Sequence, residues 1–398
     1  MFWKKITAVV LTIAILCMSV PFCIAAEEKG VSEDEKTEAS INIRGPEQMD
    51  FECKSAVLME ANTGKILYAK NADEALPPAS VTKVMTLLLV MEAIDSGKIK
   101  LDDMVTASEH AASMGGSQIY LKVGEQMSVE DMVKSVVISS ANDAACALAE
   151  HVAGSEAAFV SQMNARAKEL GMENTNFENT NGLDDTAQNH VISAMDIAIM
   201  SRELIKHKKI LEYSSIWMDT VRNGAFGLTN TNRLVRFYNG CTGLKTGSTS
   251  KAGFCISATA QRNGVSLICV IMGAPTRDIR NAAATSLLDM GFADFGNYTY
   301  DGGSFENIKI IGGVKDSLSA KHEPFSCVLE KKDISKVECK IELPEQISAP
   351  IKSGDRIGCV KFMLDGNEIG QVDICASEDV NKIGFLGLWY RLIANGVK

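Results

Sequence analysis

The hydrophobic and polar positions change their periodicity several times along the chain. An apolar run at residues 56–59, a turn at Asn62-Thr63-Gly64 and a second apolar run from Ile66 predict a β-hairpin. Apolar residues at helical spacing then predict a helix after Pro78 and further helices at 129–137, 144–152, 157–170 and 194–205. Strand-like runs return at 253–260 and 265–272, before a last helical pattern at 281–290. The pattern predicts an α+β domain over 51–297, with a sheet assembled from both ends of the domain and helices inserted between.

The pattern of hydrophobic and polar positions changes near residue 298. Short alternating segments follow, with an Asp365-Gly366 turn between two apolar runs, and they predict a small all-β domain over 298–376. The last segment, 377–398, is predicted to be an amphipathic helix from Asn381 onward. The polar face is formed by Gly384, Gly387, Arg391, Asn395 and Lys398. The apolar face is formed by Phe385, Leu386, Trp389, Tyr390 and Ile393.

Two interpretations of the C-terminal helix are open. It could pack on the β domain, or it could lie in the headgroup region of a membrane. Trp389 and Tyr390 close to cationic residues favour the second interpretation, since such side chains suit the membrane interface.

The N-terminal segment, 1–26, has the pattern of an export signal. Lys4 and Lys5 precede an apolar stretch, which a break at Pro21 and the small residues Ala25 and Ala26 follow. An uncleaved membrane anchor is the alternative, and lipidation at Cys23 is disfavoured by its sequence context. Residues 27–50 are polar and predict a mobile leader. We therefore expect an exported protein that works outside the cytoplasm.

Composition narrows the possible partners. The 398 residues are 46% hydrophobic and 23% charged, which is typical of a globular protein of two or three domains. The formal net charge of −10 argues against nucleic acid as a partner. Eleven cysteines occur without the tight spacings of a zinc site or a disulfide scaffold, so most are interpreted as small buried hydrophobic residues.

Candidate chemistry begins at Ser80-Val81-Thr82-Lys83. Ser80 and Lys83 are three residues apart at the start of a predicted helix, so they lie on the same side of its first turn. A lysine that is partly desolvated beside a serine can accept the hydroxyl proton and activate the serine as a nucleophile. The motif alone is weak, because Ser-x-x-Lys recurs from Ser248 to Lys251.

Two further motifs follow in the chain. Ser140-Ala141-Asn142 falls between two apolar helices, where a bend can direct a hydroxyl and an amide into a cleft, although Asn142 could also be a helix cap. Lys245-Thr246-Gly247 either precedes the strand from Gly253 or opens an earlier one. It brings a cation and a hydroxyl donor for a carboxylate, and a glycine that permits close passage of a substrate backbone.

The three motifs in this order resemble the penicillin-binding protein and serine β-lactamase superfamily, and most closely the D-alanyl-D-alanine carboxypeptidase family of low-molecular-mass penicillin-binding proteins. The likeness extends through the segments 77–83, 140–144, 182–184, 243–249 and 251–253. With the β domain and the terminal helix, it covers nearly the whole chain after the predicted signal. It implies a β-lactamase/transpeptidase-like catalytic domain over 51–297.

The resemblance also implies roles for single residues. Ser80 would be the acylated nucleophile, Lys83 its general base and Ser140 a proton relay to the leaving amine. The substrate-binding residues would be Asn142, Lys245, Thr246, Gly247, Ser248 and Arg280, of which Arg280 is close to a second candidate, Arg277. The backbone N–H groups of Ser80 and Ser248 would form the oxyanion hole. No metal and no cofactor is expected.

The implied function is a D-Ala-D-Ala carboxypeptidase that acts on peptidoglycan stem peptides, is inhibited by β-lactams and associates with the outer face of the cytoplasmic membrane through its C-terminal helix. Ala141, where penicillinases carry Asp, and the lack of a Glu-x-x-Leu-Asn segment disfavour a β-lactamase. A D-Ala-D-Ala endopeptidase and a wall-binding or β-lactam-binding envelope protein without turnover remain alternatives. No Gly-x-Ser-x-Gly or His-Glu-x-x-His motif supports another hydrolase design.

Overall fold

The computed structural model describes residues 51–184 and 187–396. The predicted signal segment, the predicted leader and the last two residues of the predicted C-terminal helix lie outside the described residues. All elements below belong to one compact unit of the chain.

The first part of this unit combines helices with antiparallel strands. In chain order the elements are β1 (Ser55–Glu60), β2 (Ile66–Lys70), a 3₁₀ turn (Ala79–Thr82), α1 (Lys83–Asp95), β3 (Met104–Thr106), α2 (Glu109–Ala112), β4 (Gln126–Ser128), α3 (Val129–Ser139), α4 (Asn142–Ala153), α5 (Glu156–Glu169), α6 (Ala194–Leu204), α7 (Lys208–Ser214), β5 (Met218–Val221), β6 (Phe226–Thr229), α8 (Leu234–Phe237), β7 (Cys241–Thr249), β8 (Gly253–Arg262), β9 (Val265–Ala274) and α9 (Arg277–Asp294).

The main sheet has five antiparallel strands in the order β2-β1-β9-β8-β7. Two strands come from the N-terminal hairpin and three from residues 241–274, with the helices α1 to α8 inserted between them. The sheet is therefore assembled from both ends of the domain, as the hydrophobic pattern predicted.

Each face of this sheet covers a different core. Val57 and Val270 pack into a cluster with the helices, whereas their neighbours Leu58 and Ile271 pack into a second cluster with α9. This alternation follows from the two-residue period of a strand. Because both faces are covered, β1 is buried at all six positions.

Helix α1 lies in the first core and has almost no polar face. Val84, Leu88 and Met91 are fully buried, and so is Lys83 at its first position. A helix that is apolar on all sides is stable only when its neighbours surround it. Here α6, α4 and α3 pack against it. The residue that begins this helix is therefore held inside the protein.

The last part of the chain is mainly β-structure. Its elements are β10 (Phe295–Tyr300), β11 (Gly303–Ile311), β12 (Ser317–His322), β13 (Phe325–Glu330), α10 (Lys331–Ile334), β14 (Glu338–Glu342), β15 (Gln346–Ser348), β16 (Arg356–Leu364), β17 (Asn367–Ala376) and α11 (Phe385–Gly396). Six strands form one sheet in the order β14-β16-β17-β12-β11-β15, and β10 pairs with β13. Phe362 and Ile374 lie fully buried in a third core. The predicted α+β class, with a following all-β part, is confirmed.

The structure also differs from the pattern in places. The predicted helix after Pro78 begins as a 3₁₀ turn, and the two-stranded pairs β3–β4 and β5–β6 were not predicted. Strands of three or four residues are too short to give a clear alternation. Lys245 lies within β7, the earlier of the two strand positions considered.

Within the described residues, no helix combines the length and the apolar character needed to cross a membrane.

Candidate active site

The nucleophile candidate lies in the 3₁₀ turn Ala79–Thr82, and α1 follows directly. Ser80 is half-buried, while Lys83 at the start of α1 is fully buried. Lys83 Nζ lies 2.8 Å from Ser80 Oγ and also donates to the Asn181 carbonyl at 2.8 Å. The structure thus brings the predicted serine–lysine pair into hydrogen-bond contact.

Burial determines the protonation of this lysine. The loss of hydration holds the pKa of Lys83 well below its usual range, and the nearby charge of Lys245 lowers the pKa further. The carboxylate of Asp143 opposes both effects. A lowered pKa favours the neutral form of the amine, which can accept a proton from Ser80.

The turn that carries Ser80 is held by the segment around Gly182. A Cβ atom at this position would lie 1.8 Å from the Ala79 carbonyl oxygen, and the φ of +85° also favours glycine. On the same side, Thr82 Oγ1 lies 2.8 Å from His190 Nε2. His190 Nδ1 accepts from the Glu178 N–H, so its proton is on Nε2 and is donated to Thr82.

Burial lowers the pKa of His190 to about 4. The ring is therefore neutral at neutral pH and serves as a structural support of the turn. This agrees with the absence of any catalytic histidine motif in the sequence.

The second predicted motif lies at the junction of two helices. Ser140 is the C-terminal cap of α3, in the left-handed conformation with φ of 64°, and Asn142 begins α4. Asn142 Nδ2 donates to the Gly115 carbonyl at 2.7 Å. Asn142 Oδ1 is buried and has no hydrogen-bond partner among the described residues. A buried unpaired acceptor is costly, so this oxygen is suited to receive an N–H group from a ligand.

Asp143 fixes the chain segment that faces this junction. Its buried carboxylate accepts the backbone N–H groups of Ile119, Leu121 and Ala144. The Ser117 carbonyl in turn accepts the Asn142 N–H at 2.7 Å. The hydrogen bonds of Asp143 therefore position both the Ser140–Asn142 junction and the segment that contains Ser117.

The third motif runs along β7. Lys245 is fully buried, and its Nζ donates to the Thr246 carbonyl at 2.8 Å. Burial, assisted by the charge of Arg280, lowers the pKa of Lys245 to about 7. Thr246 Oγ1 donates to Thr231 Oγ1 at 2.8 Å.

Gly247 is required because β7 passes close to the nucleophile turn. A Cβ atom there would lie 2.7 Å from the Ser80 backbone nitrogen and 2.9 Å from the Pro78 carbonyl oxygen. This approach places Ser248 beside Ser80 at the wall of one cavity.

That cavity has a volume of about 380 Å³. Its walls include Ser80, Ser140, Thr246, Gly247, Ser248 and Arg280, all of which were predicted from the sequence. Lys83, Asn142 and Lys245 are instead buried, each at most 2% exposed. Arg277, the alternative to Arg280, also contributes to the walls.

Sequence reasoning did not identify several wall residues, namely Ser117, Trp217, Thr229, Asn230, Thr231, Arg233 and Phe254. They come from the loop between α2 and β4, from the segment that contains β5 and β6 together with its flanking residues, and from β8. No motif marks these positions, and the only local signal is the polar run Thr229–Asn232. The fold brings them to the cavity.

The buried cations Lys245 and Arg280 lie on one side of the site. Arg280 is 2% exposed, and its guanidinium donates to Asn281 Oδ1 at 2.8 Å and to the Cys255 carbonyl at 3.3 Å. Burial and the charge of Arg277 lower the pKa of Arg280 to about 10. A serine hydroxyl in contact with a lysine of depressed pKa, beside such cations, defines a serine acyl-transfer site suited to substrates with a carboxylate.

Comparison with known proteins defines the family. Residues 42–276 match the D-alanyl-D-alanine carboxypeptidase family, and residues 298–382 match the C-terminal domain of penicillin-binding protein 5. The chain is 42% identical over 358 residues to the D-alanyl-D-alanine carboxypeptidase DacF of Bacillus subtilis, covering 88% of this chain and 92% of that protein.

Solved structures give the same result. Penicillin-binding protein 5 from Haemophilus influenzae superposes with a TM-score of 0.69 at 33% identity, covering 85% of this chain and 100% of the other. Penicillin-binding protein D2 from Listeria monocytogenes, solved with ampicillin bound, has a TM-score of 0.57 at 33% identity over 61% of this chain and 98% of the other. The chain belongs to the D-alanyl-D-alanine carboxypeptidase family of serine peptidases.

Proposed function

We propose that this protein removes the terminal D-Ala from peptidoglycan pentapeptide stems through an acyl-enzyme on Ser80. The observation that carries the proposal is the 2.8 Å contact between Ser80 Oγ and the fully buried Lys83 amine. The membership of the chain in the carboxypeptidase family supports the choice of substrate.

Acylation begins when neutral Lys83 takes the Ser80 proton and Oγ attacks the carbonyl carbon of the penultimate D-Ala. The backbone N–H groups of Ser80 and Ser248 stabilise the oxyanion, since Gly247 keeps β7 close to the nucleophile turn. The tetrahedral intermediate then collapses, the C–N bond breaks, and the leaving amine receives a proton through Ser140. Water hydrolyses the ester in a second step and regenerates Ser80.

Substrate binding uses the groups that have no internal partner or carry positive charge. Asn142 Oδ1 accepts an N–H of the stem peptide, which would satisfy its unpaired acceptor. Lys245, Thr246 and Arg280 bind the terminal carboxylate, because a charged acceptor suits two cations and a hydroxyl donor. β-Lactams enter the same cavity and acylate Ser80, in line with the ampicillin-bound relative.

The direct test is release of free D-Ala from a soluble pentapeptide that ends in D-Ala-D-Ala. The parent chain is expected to release D-Ala, and Ser80→Ala to release none above background. Ser250→Ala, at an exposed serine after β7, is the control and is expected to retain parent activity. Equal release by the parent and Ser80→Ala would contradict the mechanism, and cleavage of cross-linked fragments alone would indicate an endopeptidase.

We also propose that the chain is exported and held at the outer face of the cytoplasmic membrane by α11. The apolar side chains of this helix are exposed, including Leu386 (83%), Trp389 (58%) and Tyr390 (76%). Arg391 is turned toward the β domain, where it pairs with Asp316 at 2.7 Å. A large exposed apolar surface with interfacial aromatics supports insertion into the headgroup region.

Sedimentation with phosphatidylcholine vesicles tests the membrane proposal. The double variant Leu386→Ser, Trp389→Ser is expected to lose most of its vesicle binding while it keeps activity on soluble peptide. Ile341→Ser, at another exposed apolar residue in β14, is expected to bind like the parent. Unchanged binding by the double variant would contradict the proposal.

Export is tested at the N-terminus. Residues 1–26 support a cleaved signal, so the protein recovered from the cell envelope is expected to begin near Glu27. An envelope protein that still begins at residue 1 would indicate an uncleaved anchor instead.

A further inference from the structure

A group of metal-ligand side chains lies on α2 and α4, apart from the catalytic residues. A ring nitrogen of His110, the Cys146 sulfur and a carboxylate oxygen of Glu150 all lie within 4.8 Å of one another. Cys146 and Glu150 are four residues apart on α4, so they share one face of the helix. The cluster therefore combines a thiol, an imidazole and a carboxylate from two packed elements.

The three side chains of this cluster differ in their exposure to solvent. Cys146 is fully buried, Glu150 is half-buried, and the His110 side chain is 53% exposed. An ion can approach from the His110 side, with the Cys146 sulfur as its innermost ligand. None of the three residues lines the active-site cavity.

We propose that His110, Cys146 and Glu150 form a binding site for a divalent cation of the zinc class. Sulfur, imidazole nitrogen and carboxylate oxygen are the ligands that Zn²⁺ takes, whereas Ca²⁺ and Mg²⁺ require oxygen ligands throughout. Zn²⁺ binds such atoms at about 2.0–2.3 Å, which places tetrahedral ligands roughly 3.5 Å apart. Rotation of the exposed His110 side chain brings the ligand atoms closer together, to the separation that the ion requires.

A fourth ligand is available next to the cluster. Glu156 Oε2 lies 2.7 Å from His110 Nε2, while Glu156 Oε1 accepts the N–H and hydroxyl of Thr180. The carboxylate is therefore held beside the imidazole, and either this oxygen or water completes the coordination. Binding requires the Cys146 thiolate, so the thiol proton passes to solvent.

The test is isothermal titration of the purified, tag-free full chain with zinc chloride. The parent is expected to bind one Zn²⁺ per chain and to melt at a higher temperature in its presence, because an ion that binds only the folded state stabilises it. His110→Ala and Glu150→Gln are each expected to weaken binding by at least about tenfold, on the scale of losing a metal-site contact. His151→Ala removes the exposed histidine next to Glu150 in α4, and it is expected to bind Zn²⁺ like the parent.

Cobalt(II) provides a second readout of the ligand set. The parent is expected to give a thiolate-to-cobalt charge-transfer band that Cys146→Ser lacks, with circular dichroism confirming that this variant is folded. Absence of Zn²⁺ binding by the parent would overturn the proposal, as would unchanged binding by His110→Ala. These outcomes are independent of D-Ala release, so they do not depend on the proposed function.

Discussion

At the scale of single residues, burial determines the chemistry of two lysines. Lys83 and Lys245 are both fully buried, and both have a pKa far below that of an exposed lysine. Burial is the main cause of the lowered pKa of Lys83, and the charge of Lys245 lowers it further. In the proposed mechanism, Lys83 acts as the base in its neutral form and Lys245 binds the carboxylate in its charged form.

With Lys83 as the proposed base and Lys245 as the proposed carboxylate-binding cation, we expect a bell-shaped pH profile of kcat/KM. Lys83 must be neutral, so activity is lost as the pH falls through its lowered pKa. Lys245 must be protonated, so activity is lost as the pH rises above about 7, the pKa to which burial lowers it in the free enzyme. The measurement is D-Ala release at subsaturating pentapeptide across the neutral range.

Lys245→Arg is the matched variant for the alkaline limb. Arginine keeps its charge at far higher pH, so the alkaline limb should move upward while the acidic limb stays in place. A parent profile that remains flat well above pH 7, or an alkaline limb that Lys245→Arg does not move, would refute the assignment to Lys245.

At the scale of elements, the site depends on how closely β7 approaches the 3₁₀ turn. Gly247 lies against the backbone of Ser80 and Pro78, and a side chain there would meet backbone atoms that cannot rotate away. The glycine therefore sets the spacing between the nucleophile and the strand that carries Lys245, Thr246 and Ser248.

Gly247→Ala is expected to slow acylation of Ser80 by penicillin by at least about a hundredfold, because displacing a reacting group by about 1 Å costs that much. Overpacking should also cost about 1–3 kcal/mol of stability. Gly227→Ala in β6 is the control, since a Cβ atom there meets nothing within 4 Å. Acylation rates of the two variants, measured with a labelled penicillin, are compared with the parent, and equal rates would contradict the spacing argument.

At the scale of the whole molecule, the β-rich part of the chain contributes to the core that covers α9. Val328 of β13 is 5% exposed and belongs to the same cluster as Leu287 and Leu288. The two parts of the chain therefore share buried apolar surface and do not merely adjoin.

Val328→Ala is expected to lower the free energy of unfolding by about 2 kcal/mol, since it removes two buried methyl groups. Val314→Ala, at a residue that is 51% exposed, is expected to change stability little. Urea unfolding of both variants checks this, and equal midpoints would mean that Val328 does not stabilise a shared core.

The sequence by itself determined the elements and the residue types of the site. The β1–β2 hairpin, the helices α3 to α6 and the Asp365-Gly366 turn follow from local periodicity and turn chemistry, which depend on neighbouring residues only. Ser80, Lys83, Ser140, Asn142 and Lys245 were named because each belongs to a short contiguous motif.

Only the tertiary structure decided how these groups act together. Lys83 contacts the carbonyl of Asn181, a residue 98 positions away, and the cavity wall includes Trp217 and Arg233, which no motif marks. Contacts over such separations depend on how the sheet and helices pack. The lowered pKa values of Lys83 and Lys245 likewise arise from desolvation, which a sequence of residue types does not contain.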